Sequence, residues 1–161
     1  ALRRGALRLA EHAALCAASE CGNSAALWQM RHADLSALPG PDARRRALSD
    51  VWAAVGLPGA PPAGPLTPQV AETVARAAQA GTGSTHALAV LIDLDDGPDR
   101  IEFGGTICLA IATATDAASR KARILGGREW VRLGAVEMGL DCLRRYLQGL
   151  PVHERIDFER T

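Results

Sequence analysis

ALAVLIDL, the stretch from Ala87 to Leu94, is the part of this 161-residue chain that decides its fold class. It is an almost unbroken apolar run of eight residues, and such runs are typical of strands that are covered on both faces. A second run of this kind, TICLAIAT, extends from Thr106 to Thr113 after a turn at residues 95–99. A third segment, Ser119–Leu125, carries three basic side chains, which predict a strand at the edge of the sheet.

Helical patterns flank these strands on both sides in the sequence. Thr67 followed by Pro68 is a strong helix start, and Gly81-Thr82-Gly83 predicts where that helix ends. After the third strand, a long helix is predicted from about Glu129 to Leu150. Its apolar residues recur at spacings of three and four, which predicts that they form one buried stripe. The stripe consists of Leu133, Val136, Leu140, Leu143, Leu147 and Leu150.

The N-terminal part of the chain predicts further elements. A helix is predicted over Leu2–His12, and the apolar run Ala13–Ala18 is interpreted as a short buried strand or as a continuation of that helix. Gly22 and Asn23 are turn formers, and Asn23 or Ser24 is expected to cap the next helix. The elements predicted after it are a helix over Ala43–Val55 and a loop rich in proline and glycine at residues 56–65.

Helices that alternate with buried strands predict the α/β class. We expect a three-layer α/β/α domain in which helices cover both faces of a short mixed sheet. At this length a single domain is expected over residues 1–161. The charged residues from about 152 to 161 are expected to form a flexible tail.

Charge and cysteine content exclude several classes of function. The chain has 18 Lys+Arg against 18 Asp+Glu, which removes the electrostatic case for a nucleic-acid or acidic-membrane binder. No apolar run reaches the ~18 residues of a membrane span, and we expect no signal peptide. Three of the four cysteines lie in apolar stretches, which suits free thiols of a reduced, cytoplasmic protein. The spacing of His12, Cys16 and Cys21 does not match a zinc site, and we expect neither a metal nor a cofactor.

Six short motifs follow one another along the second half of the chain. In order they are VGLP at 55–58, LTPQVAE at 66–72, ALAV at 87–90, GTI at 105–107, GREWVR at 127–132 and LRRYL at 143–147. In this order and approximate spacing they resemble the C-terminal domain of the CinA family. Active members of that family are amidohydrolases that remove the amide nitrogen of nicotinamide mononucleotide, so the resemblance implies an amidohydrolase.

The residues that match the family's active site differ in this chain. Where the family has a serine-cysteine-threonine-glycine-glycine turn, this chain has Glu20-Cys21-Gly22-Asn23-Ser24, and only the cysteine is kept. The family's tyrosine-serine-asparagine segment and nearby lysine correspond to residues 46–51, which contain neither tyrosine nor lysine. A hydroxyl nucleophile needs an adjacent base, and arginine stays protonated and cannot be that base. Lys121, the only lysine of the chain, lies in the predicted edge strand, so we expect the inherited reaction to be lost.

A further turn of the family, threonine-glycine and then glycine-proline, corresponds here to residues 91–98, which include bulky apolar residues. A pocket filled by Leu91, Ile92 or a tryptophan would indicate a scaffold. An open pocket with a histidine within hydrogen-bond reach of Cys21 would indicate an enzyme.

The resemblance and these departures lead to two hypotheses. The first is a degenerate CinA C-terminal-like domain without amidohydrolase activity, which acts as a homo-oligomeric binding or scaffold module for a small nucleotide-like ligand. The second is an active amidohydrolase on a pyridine nucleotide or a related amide, with chemistry rebuilt around Glu20 and Cys21. Whether the chain is an enzyme stays open. The residues expected to contact the ligand are Cys21, Gly22, Asn23, Ser24, Gly105 and Thr106. The tryptophans considered for subunit pairing are Trp28, Trp52 and Trp130.

Overall fold

The computed structural model describes residues 48–49, 51–95 and 102–155 of the chain. The elements are α1 (Pro68–Thr82), β1 (Ala87–Leu94), β2 (Gly104–Ala112), β3 (Ala117–Leu125) and α2 (Arg128–Leu147). Residues 48–49 and 51–54 are also helical, and residues 57–67 contain neither helix nor strand, which agrees with the helix and the loop predicted there. The elements predicted before residue 48 lie outside the described residues.

The three described strands form one antiparallel sheet with β2 in the centre. In its register Leu91 of β1 lies beside Cys108 of β2, which lies beside Lys121 of β3. The predicted α/β class is confirmed, and β3 lies at an edge of the described sheet, as its charges predict. The predicted mixed sheet is corrected for this part, because both strand pairs are antiparallel. Only residues 113–116 join β2 to β3, and parallel strands need a much longer crossover.

Side chains alternate along the strands, so that each face of the sheet packs against a helix. The α1-side core consists of Trp52, Val70, Ala71, Val74, Ala75, Ala89, Leu91, Cys108, Ala110 and Ala112. The α2-side core consists of Ile107, Leu109, Ile111, Ala122, Ile124, Val131, Ala135, Met138, Cys142 and Leu143. Because β2 contributes to both cores, its residues 107–112 are almost completely inaccessible to solvent, as the apolar run predicts.

Helix α1 begins and ends where the sequence predicts. The Thr67 side chain accepts a hydrogen bond from the backbone N–H of Val70 (3.4 Å), and Pro68 follows as the first helical residue. Gly83 ends the helix in the left-handed conformation (φ 64°), which glycine adopts without strain. Val70 and Val74 are buried, so the helix is fixed against the sheet by its apolar side.

Helix α2 presents a different side to the sheet than its leucine pattern predicts. Leu133 is 57% exposed, and Leu150, which lies beyond the helix end, is 45% exposed, so the predicted buried stripe is wrong at these positions. It is right at Leu143, which is buried in the α2-side core, and Leu147 packs against that core. The side that is buried consists of Val131, Gly134, Ala135, Met138, Gly139, Cys142 and Leu143. A Cβ atom at Gly139 would lie 3.1 Å from Val90 Cγ2, so this glycine lets the helix approach β1 closely. The leucine count misleads because small residues form much of the contact face.

The chain after α2 returns to the domain. Val152 is only 7% exposed, and Arg120 of β3 donates to the carbonyl oxygens of Val152 (3.2 Å) and Glu154 (2.9 Å). The sequence predicts a flexible tail from about residue 152, whereas residues 152–155 are held by these contacts. Residues 156–161 lie outside the described residues.

Candidate functional site at the polar end of the sheet

The predicted ligand-contacting residues Gly105 and Thr106 lie at the start of β2. The other predicted positions, Glu20, Cys21, Gly22, Asn23 and Ser24, lie outside the described residues. The described part of the candidate site is therefore the end of the sheet where β1 ends and β2 begins. We call it the polar end and define it by Asp93, Asp95, Thr106 and Arg123.

Gly105 is a close-packed glycine of the sheet. It pairs with Leu94 of β1, and a Cβ atom here would lie 2.8 Å from Val131 Cγ1 and 3.0 Å from the carbonyl oxygen of Asp93. Such distances are too short for any side chain, so packing between β1, β2 and α2 explains why glycine stands at this position. Gly105 is buried, and the ligand contact expected at this residue stays a prediction.

Three polar side chains form a row across the three strands. Thr106 lies between Asp93 of β1 and Arg123 of β3 in the register. Because side chains alternate along a strand, all three share the sheet face on which Cys108 joins the α1-side core. Each of the three is partly exposed, in contrast to the inaccessible Cys108 two residues farther along β2.

Asp95, directly after β1, is joined to this row by a bidentate ion pair with Arg123. Arg123 Nη1 donates to Asp95 Oδ1 (3.0 Å) and Arg123 Nη2 donates to Asp95 Oδ2 (2.6 Å). The hydrogen bond to Asp95 raises the pKa of Arg123. The turn that the sequence predicts at residues 95–99 does not reveal this pair, because its members lie 28 residues apart and only the strand register brings them together. The guanidinium is already engaged by the Asp95 carboxylate, and because Asp93 adds a second carboxylate, the four side chains that define the polar end have a formal net charge of −1.

The row next to the polar end contains a buried thiol. Cys108 is fully inaccessible and lies beside Lys121 in the register. Burial raises the pKa of the Cys108 thiol from 9.0 to about 11, Lys121 opposes this shift, and Asp93 reinforces it. Because the thiolate is the reactive form, Cys108 is protonated and inert at neutral pH.

Burial of this thiol is expected to make the folded domain less stable at alkaline pH. The folded state favours the neutral thiol. The contribution of Cys108 to the free energy of unfolding is therefore complete below pH 9 and is lost as the pH rises toward 11. We expect about 2–3 kcal/mol of folding stability to disappear through this group across that window. Urea unfolding of wild type and Cys108→Ala between pH 8 and 11 measures it. The variant is expected to lose less stability with rising pH, and equal slopes for the two proteins would contradict the prediction.

A second polar cluster lies at the opposite end of the sheet. Tyr146 Oη donates to Asp116 Oδ2 (3.1 Å), and the Tyr146 ring meets the His86 ring edge to face, with centroids 5.9 Å apart. Burial and the hydrogen bond to Asp116 raise the pKa of Tyr146. The sequence places Tyr146 on the last helix and predicts none of these contacts. They tie the end of α2 to the turn between β2 and β3.

The described residues contain no group of three or more His, Cys, Asp or Glu side chains that could hold a metal ion. Within the same ranges, no helix has the length and the apolar character that crossing a lipid bilayer requires.

Comparisons of the chain with protein-family models, with curated proteins and with solved structures found no match. The likeness to the CinA family therefore depends on the sequence motifs alone.

Proposed function

We propose that this chain is a degenerate CinA C-terminal-like domain that lacks amidohydrolase activity on nicotinamide mononucleotide and serves as a homo-oligomeric binding or scaffold module. The sequence supports the family through the ordered motifs between residues 55 and 147. It argues against the reaction because Glu20 replaces the serine of the family's first turn and residues 46–51 contain neither lysine nor tyrosine. Losing the nucleophile and the base together removes nearly all of the rate of such a site.

The observation that carries the proposal is the burial of two large apolar side chains in the α1-side core. Leu91, in the segment that replaces the family's glycine-containing turn, is 5% exposed and belongs to the α1-side core. Trp52 is 7% exposed in the same core, and its Nε1 donates to the carbonyl oxygen of Pro58 (3.3 Å). Burial of Leu91 and Trp52 in this core favours a scaffold or a shallow binding surface over a deep catalytic pocket. Because Trp52 is buried, it is not available for the subunit pairing considered for it from the sequence.

Ammonia release from nicotinamide mononucleotide by the full chain tests the loss of activity. We expect no turnover above the background of the heat-denatured protein. Turnover would overturn the proposal, and Cys21→Ala would then separate the two kinds of chemistry. Loss of that turnover in the variant would favour the alternative of an amidohydrolase rebuilt around Glu20 and Cys21, and full retention would exclude the thiol as nucleophile.

Ligand binding is tested separately by thermal shift, because a ligand that binds only the folded state raises its apparent stability. We expect a pyridine or purine nucleotide to raise the Tm of wild type. Thr106→Val keeps a β-branched side chain in β2 but removes the hydroxyl from the polar end. It is therefore the variant that tests whether the ligand binds there. A smaller shift in this variant would support binding at the polar end, and an unchanged shift would contradict it.

A second copy of the chain is the partner that we propose for the outer side of α2. Leu133 and Trp130 are 57% and 56% exposed, and Val136 and Leu140 are half-buried without belonging to either core. We call Leu133, Val136 and Leu140 the outer stripe. Glu129 lies one helical turn before this stripe, and Arg144 lies one turn after it.

This arrangement of charges is self-complementary. If two α2 helices pack antiparallel about a two-fold axis, Leu133 of one copy meets Leu140 of the other. The same axis brings Glu129 of one copy beside Arg144 of the other, so opposite charges flank the apolar contact on both sides. A parallel arrangement would instead place like charges together.

Leu133→Asp is expected to dissociate the oligomer, because it places a carboxylate in the centre of the apolar contact. Sedimentation velocity measures the change, with Gln69→Asp at an exposed position of α1 as the control. Glu129→Arg is expected to weaken association, and adding Arg144→Glu is expected to restore it. A wild-type chain that sediments as a monomer would refute this part of the proposal.

We also propose a reducing, cytoplasmic location. Cys108 and Cys142 are both buried and neither forms a disulfide, which suits a compartment that keeps thiols reduced.

A further inference from the structure

Arg120 holds the chain segment that follows α2. It is only 6% exposed, and its Nη1 atom donates to the carbonyl oxygens of Val152 (3.2 Å) and Glu154 (2.9 Å). The same Nη1 atom donates to Cys142 Sγ (3.7 Å). The Cys142 thiol in turn donates to the carbonyl oxygen of Val152 (3.6 Å). A cation of the edge strand, a thiol of α2 and the backbone of the returning segment thus form one hydrogen-bonded group.

The outer side of the segment is held by a second arginine. Arg145 of α2 forms ion pairs with Glu154 and with Asp141, whose Oδ2 atom accepts from Arg145 Nε at 2.6 Å. Arg145 also donates to the carbonyl oxygen of Pro151 (3.5 Å). Glu154 is 62% exposed whereas Arg145 is 16% exposed, so the ion pair between them is partly screened by solvent and adds only modestly to the attachment of the segment.

The apolar attachment of the segment is small. Val152 is its one buried side chain in the described ranges, whereas Leu150 is 45% exposed and Pro151 and His153 are exposed. Gly149 precedes these residues with a φ of 67°, and no atom lies near its Cβ position. The segment is therefore joined to α2 through a residue that can change its backbone conformation without a steric penalty.

We infer that residues 150–155 form a strap that opens as a unit while the sheet and α2 stay folded, and that Arg120 is its latch. Opening breaks mainly polar contacts, and water replaces them on both the guanidinium and the released carbonyl groups. The two cores are held by extensive apolar burial and stay closed, so the strap belongs to the low-stability end of the structure. Opening uncovers Arg120 and Cys142 on the α2 side of the domain. The strap therefore controls access to this pair, independently of the function proposed above.

The thiols of the chain make this opening measurable. Cys142 is 1% exposed beneath the strap, whereas Cys108 is inaccessible between the sheet and α1 and serves as an internal reporter of global unfolding. The full-length chain is treated with N-ethylmaleimide, and mass spectrometry of its peptides gives a separate rate for each cysteine. Each rate is divided by the rate of the same cysteine in the urea-unfolded chain, which removes differences in intrinsic reactivity.

We expect Cys142 to be labelled at least about tenfold faster than Cys108 in wild type, since local opening costs less than global unfolding. Val152→Ala, which leaves Arg120 and the sheet intact, is expected to raise the Cys142 rate about tenfold and to leave the Cys108 rate unchanged. Arg120→Met is expected to raise the Cys142 rate at least as much. Arg76→Met, which removes an exposed arginine of α1, is the control and should change neither rate.

Equal corrected rates for Cys142 and Cys108 in wild type would overturn the inference, because the strap would then open only when the whole domain unfolds. A variant that raises both rates together, or neither, would overturn it as well. If Arg120→Met does not fold, Val152→Ala alone decides the question.

Discussion

Gly104→Ala is expected to destabilise the domain by about 3 kcal/mol or more, a size reserved for substitutions that break the packing of the core. Gly104 lies at the start of β2 opposite Leu125 of β3. An added Cβ atom would overlap the carbonyl oxygen of Ile124 and would lie 3.0 Å from both the Ile124 carbonyl carbon and the Leu125 Cα atom. All of these are backbone atoms, so the clash is relieved only if the two strands separate.

Gly81→Ala is the matched control for this substitution. Gly81 lies in α1 with no atom within 4 Å of its Cβ position, and its φ is not positive. Because alanine favours the helix, this variant is expected to gain about 0.5–1 kcal/mol of stability. Urea unfolding monitored by circular dichroism measures both variants. A Gly104→Ala protein within about 1 kcal/mol of wild type would show that β2 and β3 are not held at this spacing.

Met138→Ala is expected to cost about 2–5 kcal/mol, whereas Leu133→Ala is expected to change the stability of the monomer by less than about 0.5 kcal/mol. Met138 is fully buried in the α2-side core, and Leu133 is 57% exposed on the opposite side of the same helix. The two substitutions share a helix and remove side chains of similar size, so their difference reports which side of α2 faces the sheet.

Measurements at two low protein concentrations separate this effect from self-association through the outer stripe. A concentration-independent free energy of unfolding identifies the monomer. If Leu133→Ala proved as costly as Met138→Ala in the monomer, α2 would face the sheet through its leucines, as the sequence pattern predicts.

Helix α2 therefore has two apolar sides with different compositions. The side that packs on the sheet includes Gly134, Ala135 and Gly139, and its small residues allow the helix axis to approach the strands. The outer stripe carries larger aliphatic side chains, which cover little of the domain and suit a second copy of the chain. One side of α2 therefore packs in the core, and the other side is the surface that we propose for self-association.

The two described cysteines show how position controls the chemistry of one side-chain type. Cys108 is enclosed by the sheet and α1, and burial holds its pKa at about 11. Cys142 is equally inaccessible, but a short polar strap covers it and the Arg120 guanidinium lies beside it. The proposed opening of the strap would expose Cys142 at the border of the α2-side core, whereas exposure of Cys108 requires α1 and the sheet to separate.

Local signals in the sequence predict the described elements well. The strand at Ala87–Leu94 and the helix from Pro68 to Thr82 are found where the apolar run and the Thr67-Pro68 start predict them. These signals are read correctly because apolar runs, helix caps and turn formers act over a few residues of contiguous chain. The ligand contacts expected at Gly105 and Thr106 stay a prediction, and the remaining expected positions lie outside the described residues.

The sequence by itself determined the α/β class and the approximate positions of the described strands and helices. Only the tertiary structure decided which side of α2 faces the sheet, that Arg123 pairs with Asp95, and that Arg120 holds the chain after α2. The physical reason is separation along the chain. Arg123 and Asp95 lie 28 residues apart, and Arg120 and Val152 lie 32 residues apart, so strand register and helix docking create these contacts. The pattern of any short segment does not contain them.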